Sequence, residues 1–163
     1  MKATAKTAFI HAFIIALFTA ATTWAADTPK PDPKDPDKKD LQMEQARDAI
    51  AKQDWVGAQA LLRVAVERNP QSADAHNLYA YSMRKGPNPA MDLVFRHYNE
   101  ALRINPRHLG AHEYIGEAYL MSGNVPKARE HLAQLEKLCG ADCREYQLLK
   151  VAVAAQEQQH AQK

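Results

Sequence analysis

A chain of 163 residues holds one domain and little more. With 46% hydrophobic and 25% charged residues it can bury a core, which excludes a wholly disordered protein. Its 21 basic and 19 acidic residues leave a formal +2, and Lys2 and Lys6 alone supply that surplus, so the rest of the chain lacks the basic bias that nucleic acid or an anionic membrane surface would require.

The chain opens with Lys2 and Lys6, followed by an apolar run from Ala8 to about Ala21 that only His11 interrupts. The run is shorter than the roughly 18–20 residues that cross a bilayer comfortably. Thr23 and Ala25 are small residues at the spacing an export peptidase reads, so residues 1–25 are expected to be a signal peptide cut after Ala25. A periplasmic or secreted protein is then expected, with membrane contact only through the signal. No cysteine follows the run, which argues against a lipid anchor, and an uncleaved anchor is the alternative.

Residues 26–40 carry Pro29, Pro31, Pro33 and Pro36 among lysines and aspartates. Such a segment has too little apolar surface to offset its ordering entropy, so a disordered, extended spacer is expected.

From Leu41 onward glycine is sparse and alanine, leucine, glutamate, lysine and arginine are frequent, which favours helices over strands. The sequence also repeats itself. Ala58, Leu62, Ala65 and Pro70 are echoed by Tyr98, Ala101 and Pro106, then by Ala128, Leu132 and Leu135. The two prolines lie 36 residues apart, and each ends a helical stretch that it cannot continue. Three units are expected at 41–72, 73–108 and 109–140. A last amphipathic stretch carries Tyr146, Leu149 and Val153, and residues 141–163 are expected to form a capping helix with a polar tail.

This pattern resembles the tetratricopeptide repeat family, whose unit is a helix-turn-helix of about 34 residues. The third unit matches best, with Gly116, Tyr119, Gly123, Ala128 and Leu132 at the family's small, aromatic and turn positions. The second supplies Ala80, Met83, Tyr98, Ala101 and Pro106, and the first Ala46, Ala49, Trp55, Ala58, Leu62, Ala65 and Pro70. Two departures stand out. The link from Lys85 to Ala90 is two residues longer than the family spacing, and Val94 replaces the usual alanine. The resemblance implies an all-α, right-handed superhelical stack of three hairpins with a cap. It also implies a concave groove lined by the first helix of each hairpin. The family's groove positions fall on Met43, Arg47 and Ile50, then Asn77, Tyr81 and Arg84, then Glu113, Glu117 and Leu120. That set is basic and aromatic at one end and acidic at the other, which suits a peptide of mixed charge. The family's site for a C-terminal carboxylate is not carried over, because Glu113 and Glu117 oppose it.

Cys139 and Cys143 are the only cysteines. In an exported protein a structural disulfide is expected between them, with a redox pair and a metal thiolate as alternatives. His108 and His112 are four apart and are a candidate metal pair, but His112 and His76 recur one unit apart, which explains them as packing residues. No phosphate loop, nucleophile elbow or His-Glu-x-x-His helix is present, so neither catalysis nor a cofactor is expected. The expected task is to bind another protein or a peptide segment, with self-association through an open end as a further expectation. A metal- or redox-handling exported protein is the alternative.

Overall fold

Seven helices follow one another through the described residues, 36–161, of the computed structural model, with side chains described from Leu41 to Ala161. They are α1 (Pro36–Ala51), α2 (Trp55–Arg68), α3 (Ala73–Lys85), α4 (Met91–Ile104), α5 (Leu109–Met121), α6 (Val125–Cys139) and α7 (Arg144–Ala161). The expected signal peptide and the first part of the spacer lie outside the described residues. The spacer ends earlier than its composition implies, because α1 already begins at Pro36. A proline ring fixes φ near the helical value and has no N–H to leave unsatisfied, so it suits a first helical turn. At the other end the polar tail does not leave the helix, since α7 continues to Ala161. No helix among the described residues is long and apolar enough to cross a membrane.

Local chemistry sets the boundaries. Asp54, Ser72, His108 and Asn124 stand at the starts of α2, α3, α5 and α6. Each side chain accepts a bond from the backbone N–H three residues on, at 2.9–3.2 Å, satisfying a donor that the helix itself cannot. Asn69 and Asn105 close α2 and α4 immediately before Pro70 and Pro106. The turn inside the third hairpin uses Gly123 at φ 73°, whereas the first hairpin uses Gln53 at φ 58°, a conformation less favourable for a residue with a Cβ. In the long link of the second hairpin Asn88 takes φ 54° between two prolines, a left-handed conformation that asparagine tolerates.

Helices α1/α2, α3/α4 and α5/α6 pack as hairpins, and α7 lies against both α5 and α6. Small residues make the close approaches: Ala46, Ala58, Ala80 and Ala128 are fully buried. Val94 is fully buried at the position where alanine was expected. Leu62 and Tyr98 fill the spaces between neighbouring units, each burial contributing about 2 kcal/mol. In the last unit Leu132 is only partly buried and Leu135 is the fully enclosed side chain, because α7 covers that face. The outer side of α7 is less polar than a cap needs, with Leu148 and Val151 exposed.

The cap explains why the third unit has glycine where the others have alanine. A Cβ on Gly116 would stand 2.5 Å from Cδ2 of Leu149 on α7 and 3.3 Å from its Cγ. Gly116→Ala is therefore expected to lower stability by about 1–3 kcal/mol, through forced displacement of a buried leucine. In a double-mutant cycle with Leu149→Ala, urea unfolding should show the glycine substitution becoming nearly neutral. An unchanged cost in the Leu149→Ala background would contradict this contact.

Candidate functional site: the inner face of the first helices

Among the first helices α3 packs on α5, and α5 packs on the capping helix α7, while no comparable contact joins α1 to α3, α2 to α4 or α4 to α6 among the described residues. An array whose first helices crowd together and whose second helices splay apart curves towards the first helices. Their free side is the concave face.

The centre of that face is Arg84. Only 6% of this residue is exposed, yet its guanidinium is fully engaged. Nη2 donates to Glu117 of α5 at 2.5 Å, Nε donates to the Tyr98 hydroxyl of α4 at 3.3 Å, and Nη1 lies 3.7 Å from the Met121 sulfur. The same group sits 5.5 Å from the Tyr81 ring centroid and 5.9 Å from that of Tyr114, within cation–π range. Burial opposes the charge, but Tyr98 and Glu117 outweigh it and raise the Arg84 pKa further. Burial also holds the Tyr98 phenol neutral, far above its usual range.

Three aromatic rings form a row beside the guanidinium. Trp55 meets Tyr81 edge-on at 6.1 Å, and Tyr81 meets Tyr114 at 4.6 Å. Tyr114 is pushed up to about 12 by burial and then by Glu113. Glu113 itself is 6% exposed and makes no hydrogen bond or ion pair among the described residues. Its carboxyl is pushed up to about 7, first by burial and then by Glu117 and Glu145, with Arg144 and Arg84 opposing. One unit earlier, at the equivalent position, Asn77 is buried with its Oδ1 lacking a partner among the described residues.

The nine expected groove residues therefore divide. Tyr81, Arg84, Glu113 and Glu117 come together, with Asn77 beside α5. Met43 and Ile50 pack against the core of the first hairpin, and Leu120 belongs to the core under α7. Arg47 is exposed and reaches Asp74 at 3.7 Å. Of the two arginines at the expected basic end, Arg84 is neutralised by Glu117 and Arg47 stays exposed near Asp74. Trp55, Tyr114 and Tyr98 were missed. Tyr114 is adjacent in sequence to Glu113, and only the helix rotation that places it against Tyr81 reveals it.

The histidines are organised differently from the candidate pair His108 and His112. His108 accepts from the Ala111 N–H through Nδ1 and donates to Asp74 through Nε2 at 2.9 Å. His112 instead faces His131, Nδ1 to Nδ1 at 3.0 Å, and His76 faces His97 in the same way at 2.9 Å. The Nε2 atoms of His76 and His112 donate to the carbonyls of Pro70 and Pro106, which leaves their Nδ1 atoms as acceptors. Among the described residues no group of three or more histidine, cysteine, aspartate or glutamate side chains is placed to hold a metal ion. Cys139 and Cys143 adjoin at the corner between α6 and α7, with Cα atoms 5.8 Å apart, and Gly140 at φ 82° makes the bend.

A family model of the tetratricopeptide repeat matches residues 43–90 and 96–142, more than half of the chain. The chain belongs to the tetratricopeptide repeat family. The tetratricopeptide array is similar to the TPR domain of Arabidopsis OM64, with a TM-score of 0.65 at 13% identity, covering 73% of this chain and 96% of that one. It is similar to the TPR2B domain of yeast Sti1, seen in a complex with pHsp70, with a TM-score of 0.63 at 18% identity, covering 73% and 98%. It is also similar to the Yersinia enterocolitica type III secretion chaperone SycD in complex with a peptide of the translocator YopD, with a TM-score of 0.62 at 13% identity, covering 74% and 89%. No curated protein sequence matches the chain. At these identities the tetratricopeptide likeness is one of fold.

Two groups give the stability opposite pH dependences. His131 is held down to about 4 by burial and then by His112, so between pH 6.5 and 4 the unfolded chain takes a proton that the folded one refuses. Its contribution is complete above pH 6.5 and is lost as the pH falls through 4. Glu113 binds its proton more tightly when folded, so its ionisation costs stability as the pH rises from about 4.5, and the full cost is reached above 7. Glu113→Gln is therefore expected to be near neutral at pH 4.5 and stabilising by about 1–2 kcal/mol at pH 8, discounted for the water that reaches the groove. Urea midpoints at both pH values check this, and an equal effect at both would refute it.

Proposed function

We propose that this protein is a non-catalytic, exported interaction module that holds a segment of another protein in its concave groove. The observation that carries the reading is the row Trp55, Tyr81 and Tyr114 beside the buried Arg84–Glu117 pair on the inner face. Aromatic rings supply large contact area with few rotatable bonds, and they concentrate where binding energy concentrates. Arg84 is neutralised, so it fixes the rings in place and leaves them to supply the contact. The similar folds of Sti1 and SycD were each seen with another protein or a peptide, which supports a segment of a protein as the ligand.

The test is a photo-reactive side chain placed at Tyr81 in living cells, with a control at Arg63 on the exposed side of α2. One or two discrete adducts are expected from position 81, none from 63, and weaker adducts once Tyr114 is changed to Ala. Equal labelling from both positions, or none from either, would remove the groove from consideration.

The compartment belongs to the same reading. An oxidising compartment would join Cys139 and Cys143 in a disulfide that pins the α6–α7 corner, while the short loop constrains the unfolded chain only modestly. Protein recovered from the periplasm should begin at Ala26 by mass spectrometry and resist maleimide until a reductant is added. A chain that keeps Met1 and labels readily without reductant would contradict both the export and the bridge.

A further inference from the structure

Two polar side chains of the first helices lack a protein partner among the described residues: Asn77, whose Oδ1 is buried, and Glu113, a mostly buried residue whose carboxyl makes no hydrogen bond or ion pair. Glu113 and Asn77 occupy equivalent positions in consecutive units, 36 residues apart. Each is more than nine-tenths buried. The Asn77 amide lies against the start of α5, where a Cβ on Gly110 would come within 3.4 Å of its Nδ2, and its Oδ1 has no partner among the described residues. A buried acceptor left without a donor costs about 1–3 kcal/mol, and a mostly buried carboxyl without a partner resists ionisation, so the two at one repeat position are an expense the fold alone does not explain.

The charges that act on Glu113 lie on α3, α5 and the capping helix α7. Arg84 belongs to α3, Glu117 to α5, and Arg144 and Glu145 to α7. Arg84 is committed to Glu117. Arg144 is exposed and makes no ion pair among the described residues, and its pull on Glu113 is opposed by Glu145. Three carboxylates against two guanidiniums leave one negative charge uncompensated; Glu113 and Glu145 both lack an ion pair among the described residues, and Glu113 is the more buried of the two.

We infer that Glu113 is the recognition point for a lysine ammonium of the bound segment. This rests on the groove reading above and adds the chemistry of the ligand. An ammonium brings three donors and the missing positive charge. It also converts a carboxyl that resists ionisation into one half of an ion pair, so binding draws a proton off Glu113 and strengthens as the pH rises from 6 to 8. The neighbouring Tyr81 and Tyr114 rings would line the aliphatic stem of the lysine.

The experiment uses the chain lacking residues 1–25, immobilised, and four pools of otherwise random heptapeptides whose central residue is fixed as lysine, acetyl-lysine, leucine or glutamate. Retention of the lysine pool is expected to exceed that of the acetyl-lysine pool by about tenfold at pH 8 and by less at pH 6. In Glu113→Gln, which keeps the shape and removes the charge, the difference should fall to within about twofold. The carbon-13 shift of the Glu113 carboxyl, followed by NMR, should move to the ionised value on adding a retained lysine peptide at pH 6. Equal retention of lysine and acetyl-lysine pools, or a lysine preference that survives Glu113→Gln, overturns the inference while leaving the groove reading intact. Retention of no pool at all overturns both.

Discussion

The buried guanidinium of Arg84 is the constraint on which the inner face depends. It joins α3 to α4 through the Tyr98 hydroxyl and to α5 through Glu117, so it ties two hairpins together at their middle. A charge in that position is tolerable only because every side of it is occupied: a carboxylate, a hydroxyl, a thioether and two aromatic faces. Removing one partner of such a pair leaves an uncompensated buried charge, at a cost of about 3–5 kcal/mol, more than either contact adds by itself. The aromatic row follows from this arrangement. Tyr81 and Tyr114 meet across α3 and α5 because both lie over the same cation.

The histidine pairs play a comparable part nearer the ends of the hairpins. Each is anchored at one end by the carbonyl of the proline that closes the preceding unit, which fixes the tautomer of the first ring and forces the second to donate. The pair thereby measures the distance from one unit's end to the next unit's second helix. The first hairpin has no such pair. Gln42 stands at that position and donates to the Leu61 carbonyl at 2.9 Å, doing with an amide what the later units do with two rings. Protonation of both rings of a pair would place two N–H groups 2.9–3.0 Å apart with no acceptor between them, so this packing holds only while at most one ring is charged.

The architecture was legible because its cause is periodic. Small residues recur where backbones approach, large ones where units stack, and proline where a helix ends, so the positions of Ala46, Ala80, Tyr98 and Pro106 fixed helices, hairpins and boundaries together. The site was legible only in part, because being on the inner face and being open to a ligand are different properties. Arg84 and Glu113 are both expected in the groove from their repeat positions, but the first is closed by a partner on another helix and the second has none among the described residues. That difference depends on contacts between residues 33 and more apart, and no local pattern encodes it. Gly116 shows the same limit from the packing side: the family pattern puts glycine at this position, but what excludes a Cβ there is Leu149, on a helix outside the repeat.

Met43, Asn77 and Glu113 make the general point. They hold one repeat position in three successive units, with nearly the same backbone surroundings, yet they carry a thioether, an amide and a carboxyl. The first is satisfied by the apolar core of its hairpin. The other two are polar and mostly buried, one with an unpartnered carbonyl oxygen and one with a carboxyl that no side chain pairs, an arrangement that a sequence under selection for stability alone would remove, since apolar residues of similar volume would fit without a desolvation cost. A repeat holds geometry constant, so chemistry that departs from the repeat is where a demand other than folding is written. In this chain the departures lie on α3 and α5, and the groups they leave without a protein partner, the Asn77 carbonyl and the Glu113 carboxyl, are acceptors. Whatever completes them has to bring donors.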